Sequence, residues 1–275
     1  MSLEQQRDFY AALVTAKGGS RDGALRAAFA QTDRAHFAGP GPWKVYTPVG
    51  YIETPGDDPS FLYQDVAVAL APERLINNGE PSLHARCLAA AAPKNGETVL
   101  HVGAGTGYYT ALLAILVGPR GSVVGYEIEA DLAERAQVNL AGLAHVTIHA
   151  RSALEESLPP ADLIYVNAGA THPPAVWLDA LNPDGRLIFP LSGTQGTGVM
   201  LLVTRGRGAS FAARIVSGAA FIPCIGASDD AEAKAVTDAV MRGGHWAVRS
   251  LLRDDEPDAG AWLSGKGWRL STAAP

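Results

Sequence analysis

Two hydrophobic periodicities alternate along the middle of the chain, from residue 97 to residue 192. Short apolar runs of strand length are each followed by a stretch in which apolar residues recur every three or four positions, as on a helix with one buried face. This alternation predicts an α/β fold with a doubly wound parallel sheet and right-handed crossovers. In chain order the predicted segments are the strand ETVLHV, the helix YYTALLAILVG, the strand GSVVGYEI, the helix ADLAERAQVNLAG, the strands VTIHA and DLIYVNA, the helix AVWLDALNPDG and the strand RLIFPLS.

The flanking segments have other patterns. Residues 2–38 hold two amphipathic helical stretches, a Pro- and Gly-rich passage follows, and the helix PSLHARCLAAAAP precedes the alternation. After the alternation, strand-like runs joined by Gly-rich turns predict that the sheet finishes antiparallel, and the tail predicts an amphipathic helix and a hairpin. We therefore expect a helical cap and acceptor-side segment over 1–92, a seven-stranded Rossmann-like domain over 93–227, and a small extension packed on the core over 228–275.

Composition and charge exclude several classes of protein. The chain has 275 residues, of which 47% are hydrophobic and 18% are charged, as in ordinary globular proteins. A net charge of -6 without a clustered basic face argues against nucleic acid as a partner. No uncharged apolar run approaches the roughly 18 residues of a membrane span, and the start lacks a signal-peptide pattern. Two cysteines indicate neither a disulfide framework nor a metal site. We expect a cytoplasmic protein without membrane or metal, and the sequence indicates no oligomeric state.

A glycine-rich loop, VGAGTGYY, joins the first strand of the predicted sheet to its helix. Gly103, Gly105 and Gly107 would bring backbone N–H groups and a helix N-terminus beside a ligand. Their GxGxG spacing is tighter than the dinucleotide fingerprint GxGxxG and is the form found in S-adenosylmethionine-dependent methyltransferases, whose cofactor has no phosphates.

Glu127 ends the next strand, twenty residues after Gly107. A carboxylate at this place can accept hydrogen bonds from both ribose hydroxyls of a nucleoside cofactor. It supports nucleoside binding without separating a methyl donor from NAD. The spacing of the loop favours S-adenosylmethionine, while NAD and a purely structural glycine turn remain the alternatives.

Six stretches of the chain occur in an order and at a spacing that are more specific than any single motif. They are QTDRAHFAGP, LYQD, VLHVGAGTGYYTALLAILVG, DLIYVNAGATHPP, LNPDGRLIFPLS and AAFIPCIG. Through them the chain resembles the protein-L-isoaspartate O-methyltransferase family over about residues 25–228, and AAFIPCIG resembles a signature that lines the family's acceptor site. The resemblance implies a Rossmann-like sheet, S-adenosylmethionine as cofactor and methyl transfer to an isoaspartyl or aspartyl carboxylate of a protein or peptide.

The loop and the resemblance together predict which residues contact the cofactor. They lie in the glycine loop and at the ends of the next two strands. Arg151 stands where the family carries an Asp that approaches the adenine. The predicted cofactor residues are Gly103, Ala104, Gly105, Thr106, Gly107, Tyr108, Glu127, Ile128, Arg151 and Ser152.

The acceptor side departs from the family pattern. The family carries Gly-Gln-Thr-Ile-Ser before a Pro and an aromatic residue or His, whereas this chain has NNGEPSLHA. With His84 in register, Gly79 and Pro81 stand where the resemblance expects Thr and Ser, and Ser82, displaced by one place, keeps a hydroxyl. The family's Tyr-x-Asp corresponds to LYQD, which assigns its acid to Asp65.

The chemistry of the methyl acceptor decides which side chains the site needs. A carboxylate is already ionised at pH 7 and requires only orientation and desolvation, whereas an alcohol, phenol or amine requires a base. The candidate acceptor-site residues are Asp65, Ser82, His84, Asn167 and His172.

Four of these candidates have a purely structural alternative, which for Asp65 is a solvated loop residue. The two histidines could equally be packing or loop residues, and Ser82 could equally be the start of a helix. We predict a carboxyl O-methyltransferase whose acceptor is a protein or peptide. The alternatives are a small-molecule O- or N-methyltransferase that uses His84 or His172 as base, and a non-catalytic module that binds S-adenosylmethionine.

Overall fold

The structure is a computed structural model that describes residues 2–155, 157–208 and 210–275. Its helices are α1 (Leu3–Lys17), α2 (Gly23–Gln31), α3 (Arg34–Ala38), α4 (Pro81–Ala91), α5 (Tyr108–Val117), α6 (Ala130–Leu140), α7 (Ala175–Ala180) and α8 (Asp230–Arg242). Its strands are β1 (Lys44–Thr47), β2 (Gly50–Glu53), β3 (Ala69–Ala71), β4 (Ile76–Asn77), β5 (Thr98–Val102), β6 (Ser122–Tyr126), β7 (Val146–His149), β8 (Ala161–Val166), β9 (Leu181–Ser192), β10 (Gly198–Arg205), β11 (Phe211–Gly218), β12 (Ser250–Leu252), β13 (Ala261–Gly265) and β14 (Trp268–Ser271).

The chain forms two compact units that do not follow its linear order. Unit 1 comprises Met1–Glu97 and Gly103–Ser152, and unit 2 comprises Thr98–Val102 and Ala153–Pro275. The glycine loop and Glu127 therefore belong to unit 1, while β5, which leads into the loop, belongs to unit 2. The domain boundaries expected after residues 92 and 227 stay a prediction.

Unit 1 contains the predicted N-terminal helices. Ser2 and Gln5 form a capping box at α1, and the side chains of Asp22 and Asp33 accept hydrogen bonds at the starts of α2 and α3. The Pro- and Gly-rich passage that follows forms an antiparallel hairpin of β1 and β2. Farther along the chain, β6 and β7 pair in parallel, and the apolar α5 is buried on most of its surface.

Unit 2 contains one continuous run of paired strands in the order β13-β14-β12-β11-β10-β9-β8-β5. β5, β8 and β9 pair in parallel, and the remaining neighbours pair antiparallel. The seven predicted strands are present as β5 to β11, which confirms the α/β class and the antiparallel finish. β12, β13 and β14 lengthen this run beyond the predicted seven-stranded sheet, and the predicted C-terminal helix and hairpin are α8 and β13–β14.

One predicted helix is too long. The pattern AVWLDALNPDG predicts a helix to residue 185, but α7 ends at Ala180 and β9 begins at Leu181. The residue before a proline is disfavoured in the helical region, and Pro183 lacks the N–H that a helix needs. Asn182 instead donates from its side chain to Asp162 Oδ1 at 2.8 Å, which holds this stretch beside β8.

A fully buried arginine anchors the loop that follows the β1–β2 hairpin. The guanidinium of Arg34 donates to the backbone carbonyls of Leu62, Gln64 and Val66, and it reaches Asn78 Oδ1 at 3.4 Å. Five N–H donors in a fixed fork suit arginine, and not lysine, to several carbonyls at once. Arg34 therefore fixes the course of the chain around residue 65.

Replacing Arg34 by Met should lower the free energy of unfolding by about 3–5 kcal/mol, because several buried carbonyls lose their donor. Urea denaturation followed by circular dichroism measures this change. Arg26→Met, on the exposed face of α2, is the matched control and should change stability by no more than about 0.5 kcal/mol. Equal effects of the two substitutions would contradict the role given to Arg34.

Candidate functional site

The glycine loop is a tight turn between β5 and α5 whose backbone only glycine adopts readily. Gly103, Gly105 and Gly107 have φ of 75°, 55° and 96°. A Cβ on Gly107 would also lie 2.7 Å from the Leu140 side chain. The N–H groups of Gly103 and Ala104 donate to the Tyr126 carbonyl at 2.9 and 3.1 Å, which ties the loop to the end of β6.

The Glu127 carboxylate joins the glycine loop to the start of α6 through backbone hydrogen bonds. Its Oε2 accepts from Gly105 N at 2.6 Å, and its Oε1 accepts from Glu129 N at 3.0 Å. Burial raises the pKa of Glu127, and the surrounding backbone N–H groups offset only part of that effect. A carboxylate offers about four acceptor positions, so these bonds leave room for the hydroxyls of a ribose.

The other predicted cofactor residues in unit 1 have varied surroundings. Thr106 is buried, and its carbonyl accepts from Asn139 Nδ2 at 2.9 Å. Ile128 is 46% exposed, which leaves an apolar surface beside Glu127. The guanidinium carbon of Arg151 lies 5.7 Å from the centre of the Tyr126 ring. Ser152 is half-buried directly after Arg151. Their contacts with a cofactor stay predictions.

Both tyrosines after the loop are buried. The Tyr108 hydroxyl lies 3.3 Å from the Tyr10 hydroxyl, while the buried Tyr109 hydroxyl has no hydrogen-bond partner in the described part of the chain. The Tyr109 ring stacks on His84 with the ring centres 3.7 Å apart and the planes at 18°. Tyr109 therefore links α5 to α4.

The ring of His84 fills the space that a side chain at residue 79 would need. His84 is 2% exposed, and a Cβ on Gly79 would lie 2.3 Å from its Nε2. Gly79 has φ of 72° and donates from its N–H to Asn77 Oδ1 at 2.9 Å, so these residues form a tight turn. The ring has the geometry of a packing histidine, and its role toward the acceptor stays a prediction.

Asp65 and Ser82 meet at the start of α4. Asp65 Oδ1 accepts from Ser82 N at 2.8 Å, its Oδ2 pairs with Lys17 Nζ, and Ser82 Oγ donates to Glu80 Oε1 at 3.1 Å. Burial alone would raise the pKa of Asp65, but the hydrogen bonds from Lys17 and Ser82 bring it below its ordinary value. The structure thus joins two candidates through a lysine that lies 48 residues from Asp65 and that sequence reasoning missed.

Asn167 lies in unit 2 directly after β8. Its N–H donates to the carbonyl of Val102, the residue that precedes the glycine loop, at 2.8 Å. Burial lowers the pKa of His101 to about 3, so the ring is neutral and its Nε2 accepts from Asn167 Nδ2 at 2.9 Å. The buried Asn167 Oδ1 has no partner among the described residues. It is an acceptor that a bound ligand could use.

His172, also in unit 2, is held by a residue of the C-terminal segment. Its Nδ1 lies 2.7 Å from Glu232 Oε2, and the second oxygen of Glu232 accepts from Trp268 Nε1 at 3.3 Å. Thr171 Oγ1 donates to Glu232 Oε2 at 3.2 Å. No sequence signal pointed to Glu232, because α8 is separated from His172 by sixty residues.

Over residues 2–155, 157–208 and 210–275, no group of three or more His, Cys, Asp or Glu side chains could hold a metal ion. No helix there combines the length and the apolar character that crossing a bilayer demands.

Comparisons with known proteins point to one family. The model of the family described as protein-L-isoaspartate(D-aspartate) O-methyltransferase matches residues 14–229. The protein-L-isoaspartate O-methyltransferase of Brucella anthropi is 33% identical over 183 residues, which cover 64% of this chain and 78% of that protein. The protein of the same name from Aeropyrum pernix is 31% identical over 181 residues, covering 64% of this chain and 68% of the relative.

Solved structures agree on the fold. A protein-L-isoaspartate O-methyltransferase superposes with a TM-score of 0.66 at 21% identity, covering 86% of this chain and 68% of the other. A candidate protein-L-isoaspartate O-methyltransferase from Plasmodium falciparum, in complex with S-adenosyl-L-homocysteine, superposes with a TM-score of 0.62 at 19% identity. It covers 79% of this chain and is itself covered to 97%.

Glu127→Gln should weaken the binding of S-adenosylhomocysteine about 10- to 100-fold, because hydrogen bonds to a charged group are worth about 1.5–3 kcal/mol. Isothermal titration calorimetry measures the affinity. Glu134→Gln changes an exposed acid on α6 and should leave it unaltered. An unchanged affinity in Glu127→Gln, or binding of NAD in place of the nucleoside, would contradict the assignment.

The raised pKa of Glu127 gives this binding a pH dependence. A carboxyl with a raised pKa takes up a proton at higher pH than an ordinary glutamate of about 4.3, and the protonated form is the poorer acceptor. Affinity for S-adenosylhomocysteine should therefore fall as the pH is lowered, and the fall should begin above the pH at which an ordinary glutamate titrates. The same titration on Glu127→Gln should be flat, and a parallel fall in both proteins would assign the effect to another group.

Proposed function

This chain belongs to the protein-L-isoaspartate(D-aspartate) O-methyltransferase family, and we propose that it methylates an isoaspartyl or aspartyl carboxylate of a protein or peptide. Members of this family transfer a methyl group from S-adenosylmethionine, and this chain is an S-adenosylmethionine-dependent methyltransferase. The hydrogen bond between Glu127 and the glycine loop, which leaves acceptor positions open on the buried carboxylate, supports the cofactor. The match to the family model supports the carboxylate acceptor.

The residues present fit the cofactor. The left-handed glycines keep the backbone of the loop free of side chains, and Leu70 lies so close that a Cβ on Gly105 would approach its side chain to 3.2 Å. Glu127 would accept the ribose hydroxyls, and the exposed side chain of Ile128 would pack on the base. When bound, S-adenosylmethionine supplies a methyl group on a positively charged sulfur.

A carboxylate acceptor fits the surroundings of the candidate side chains. It is ionised at neutral pH and attacks without losing a proton, so catalysis rests on alignment and on the exclusion of water. In unit 1 the ring of His84 is buried against Tyr109, and Asp65 is engaged with Lys17 and Ser82. The arrangement supports orientation of an acceptor by this polar group, and does not require a base there.

The loss of the family's hydroxyls has a steric explanation. At Gly79, where the family carries Thr, the ring of His84 fills the space that a side chain would need. Ser82 keeps a hydroxyl one place away, but that hydroxyl donates to Glu80. We propose that backbone N–H groups and Ser82 share the orientation of the acceptor in this chain.

A second candidate function draws on a separate observation. The pairing of His172 with Glu232 is the arrangement by which a carboxylate orients an imidazole as general base. This supports, as the alternative, a small-molecule O- or N-methyltransferase.

We keep the cytoplasm as the proposed location, since Cys87 and Cys224 are both buried free thiols.

Incubation with S-adenosylmethionine and an isoaspartyl peptide tests the proposal. We expect a base-labile methyl ester and a kcat that is flat from about pH 6 to 8, because the acceptor carboxyl titrates near 4. The same peptide with asparagine at that position is the control and should not be methylated.

Three other outcomes would each contradict the proposal. A methyl group that survives mild alkali, with a rising pH limb that is lost in His172→Gln, would establish the small-molecule alternative. Tight binding of S-adenosylhomocysteine without turnover of any peptide or metabolite pool would indicate a non-catalytic module. A basic pH optimum without an ester product would point to an amine acceptor.

A further inference from the structure

The imidazole of His172 is fixed at one edge of the parallel strands of unit 2. The chain after β8 is bridged at Ala170 to Leu191, near the carboxyl end of β9, and Thr171 N donates to the Ala227 carbonyl at 2.9 Å. In doubly wound sheets ligands bind at the carboxyl ends of the parallel strands. The backbone of this segment is therefore anchored on both sides at the edge where a ligand is expected.

The side chain of His172 is oriented by an acid that lies outside the matched family region. The family model ends at residue 229, and Glu232 stands in the first turn of α8, where Asp229 caps the helix. One Glu232 oxygen accepts from Trp268 Nε1, and the other faces both His172 Nδ1 and Thr171 Oγ1. The contacts with Trp268 and Thr171 thus hold the Glu232 carboxylate beside the His172 imidazole.

This contact favours one tautomer of the neutral imidazole. A carboxylate facing Nδ1 favours the Nδ1–H tautomer, so Nε2 keeps its lone pair. No hydrogen bond to Nε2 occurs among the described residues, and the side chain is 31% exposed. A half-exposed, oriented hydrogen-bond acceptor therefore remains at the carboxyl edge of β8 and β9.

We propose that His172 is a specificity-determining residue whose Nε2 accepts a hydrogen bond from a main-chain N–H of a peptide acceptor, and that Glu232 is the positioning residue that keeps Nε2 in this role. The inference rests on the proposed function. A peptide carries an amide N–H beside the carboxylate that is methylated, whereas a simple carboxylic acid lacks that donor. Nε2 thus distinguishes a peptide from a small carboxylate without taking part in the transfer of the methyl group.

The first arm of the test measures steady-state kinetics with an isoaspartyl peptide. His172→Leu should raise KM for the peptide about 2- to 12-fold, as expected for the loss of one hydrogen bond, with kcat and the KM for S-adenosylmethionine nearly unchanged. His172→Gln, whose amide oxygen can replace Nε2, should recover part of the loss. Asp230→Asn, an exposed acid in the same turn of α8, is the matched control for Glu232→Gln.

The second arm removes the donor from the peptide. N-methylation of the amide next to the isoaspartyl residue should raise KM for the unaltered protein by the same factor, and it should add nothing further in His172→Leu. If the two effects multiply, His172 does not contact that amide and the inference is wrong. An isoaspartyl peptide that is inert with the unaltered protein overturns the proposed function together with this inference, whereas an active peptide with unchanged KM in His172→Leu overturns only the inference.

The third arm follows the tautomer directly by two-bond ¹H–¹⁵N correlation spectra of the imidazoles, with His172 assigned by its absence in His172→Gln. We expect the Nδ1–H tautomer in the unaltered protein and in Asp230→Asn, and a loss of that single tautomer in Glu232→Gln. An Nε2–H tautomer in the unaltered protein would contradict the role given to Glu232. This readout is independent of turnover, so a merely destabilised variant does not imitate it.

Discussion

The contact between a buried carboxylate, that of Glu127, and the backbone of the glycine loop is the constraint on which the geometry of this loop depends. Glu127 accepts from Gly105 N and Glu129 N, so one side chain sets the loop that ends β5 and the turn that begins α6. A buried charge is costly unless hydrogen bonds satisfy it. The backbone N–H groups of Gly105 and Glu129 supply part of that satisfaction, and they hold the carboxylate against the loop.

The sequence predicted the parts of the structure that local chemistry determines. The loop, Glu127 and strands β5 to β11 follow from glycine spacing and hydrophobic periodicity, both of which act over a few residues. The helix predicted through Pro183 was wrong because the pairing of β9 with β8 replaces the helical pattern. Lys17 contacts Asp65, and Glu232 contacts His172, although the partners lie far apart in the sequence. Hydrophobic periodicity gives no information about such contacts.

A buried ring contact joins α4 and α5. A glycine at residue 79 leaves room for the ring of His84, and that ring stacks on Tyr109. An aromatic pair of this kind adds about 0.5–1.5 kcal/mol beyond its buried area. A side chain at residue 79 would displace the His84 ring and disturb the contact between the two helices.

The guanidinium of Arg34 binds several carbonyl oxygens at once, as a metal ion binds several ligands. It binds carbonyls from Leu62 to Val66 and the side chain of Asn78, two stretches that the pairing of β3 with β4 also brings together. Once one of these bonds is made, the others form at little additional entropic cost. The two stretches are thereby coupled into one cooperative element, so opening of either stretch would release the other. Proteolytic cleavage in this segment would therefore require the loss of all the Arg34 contacts together.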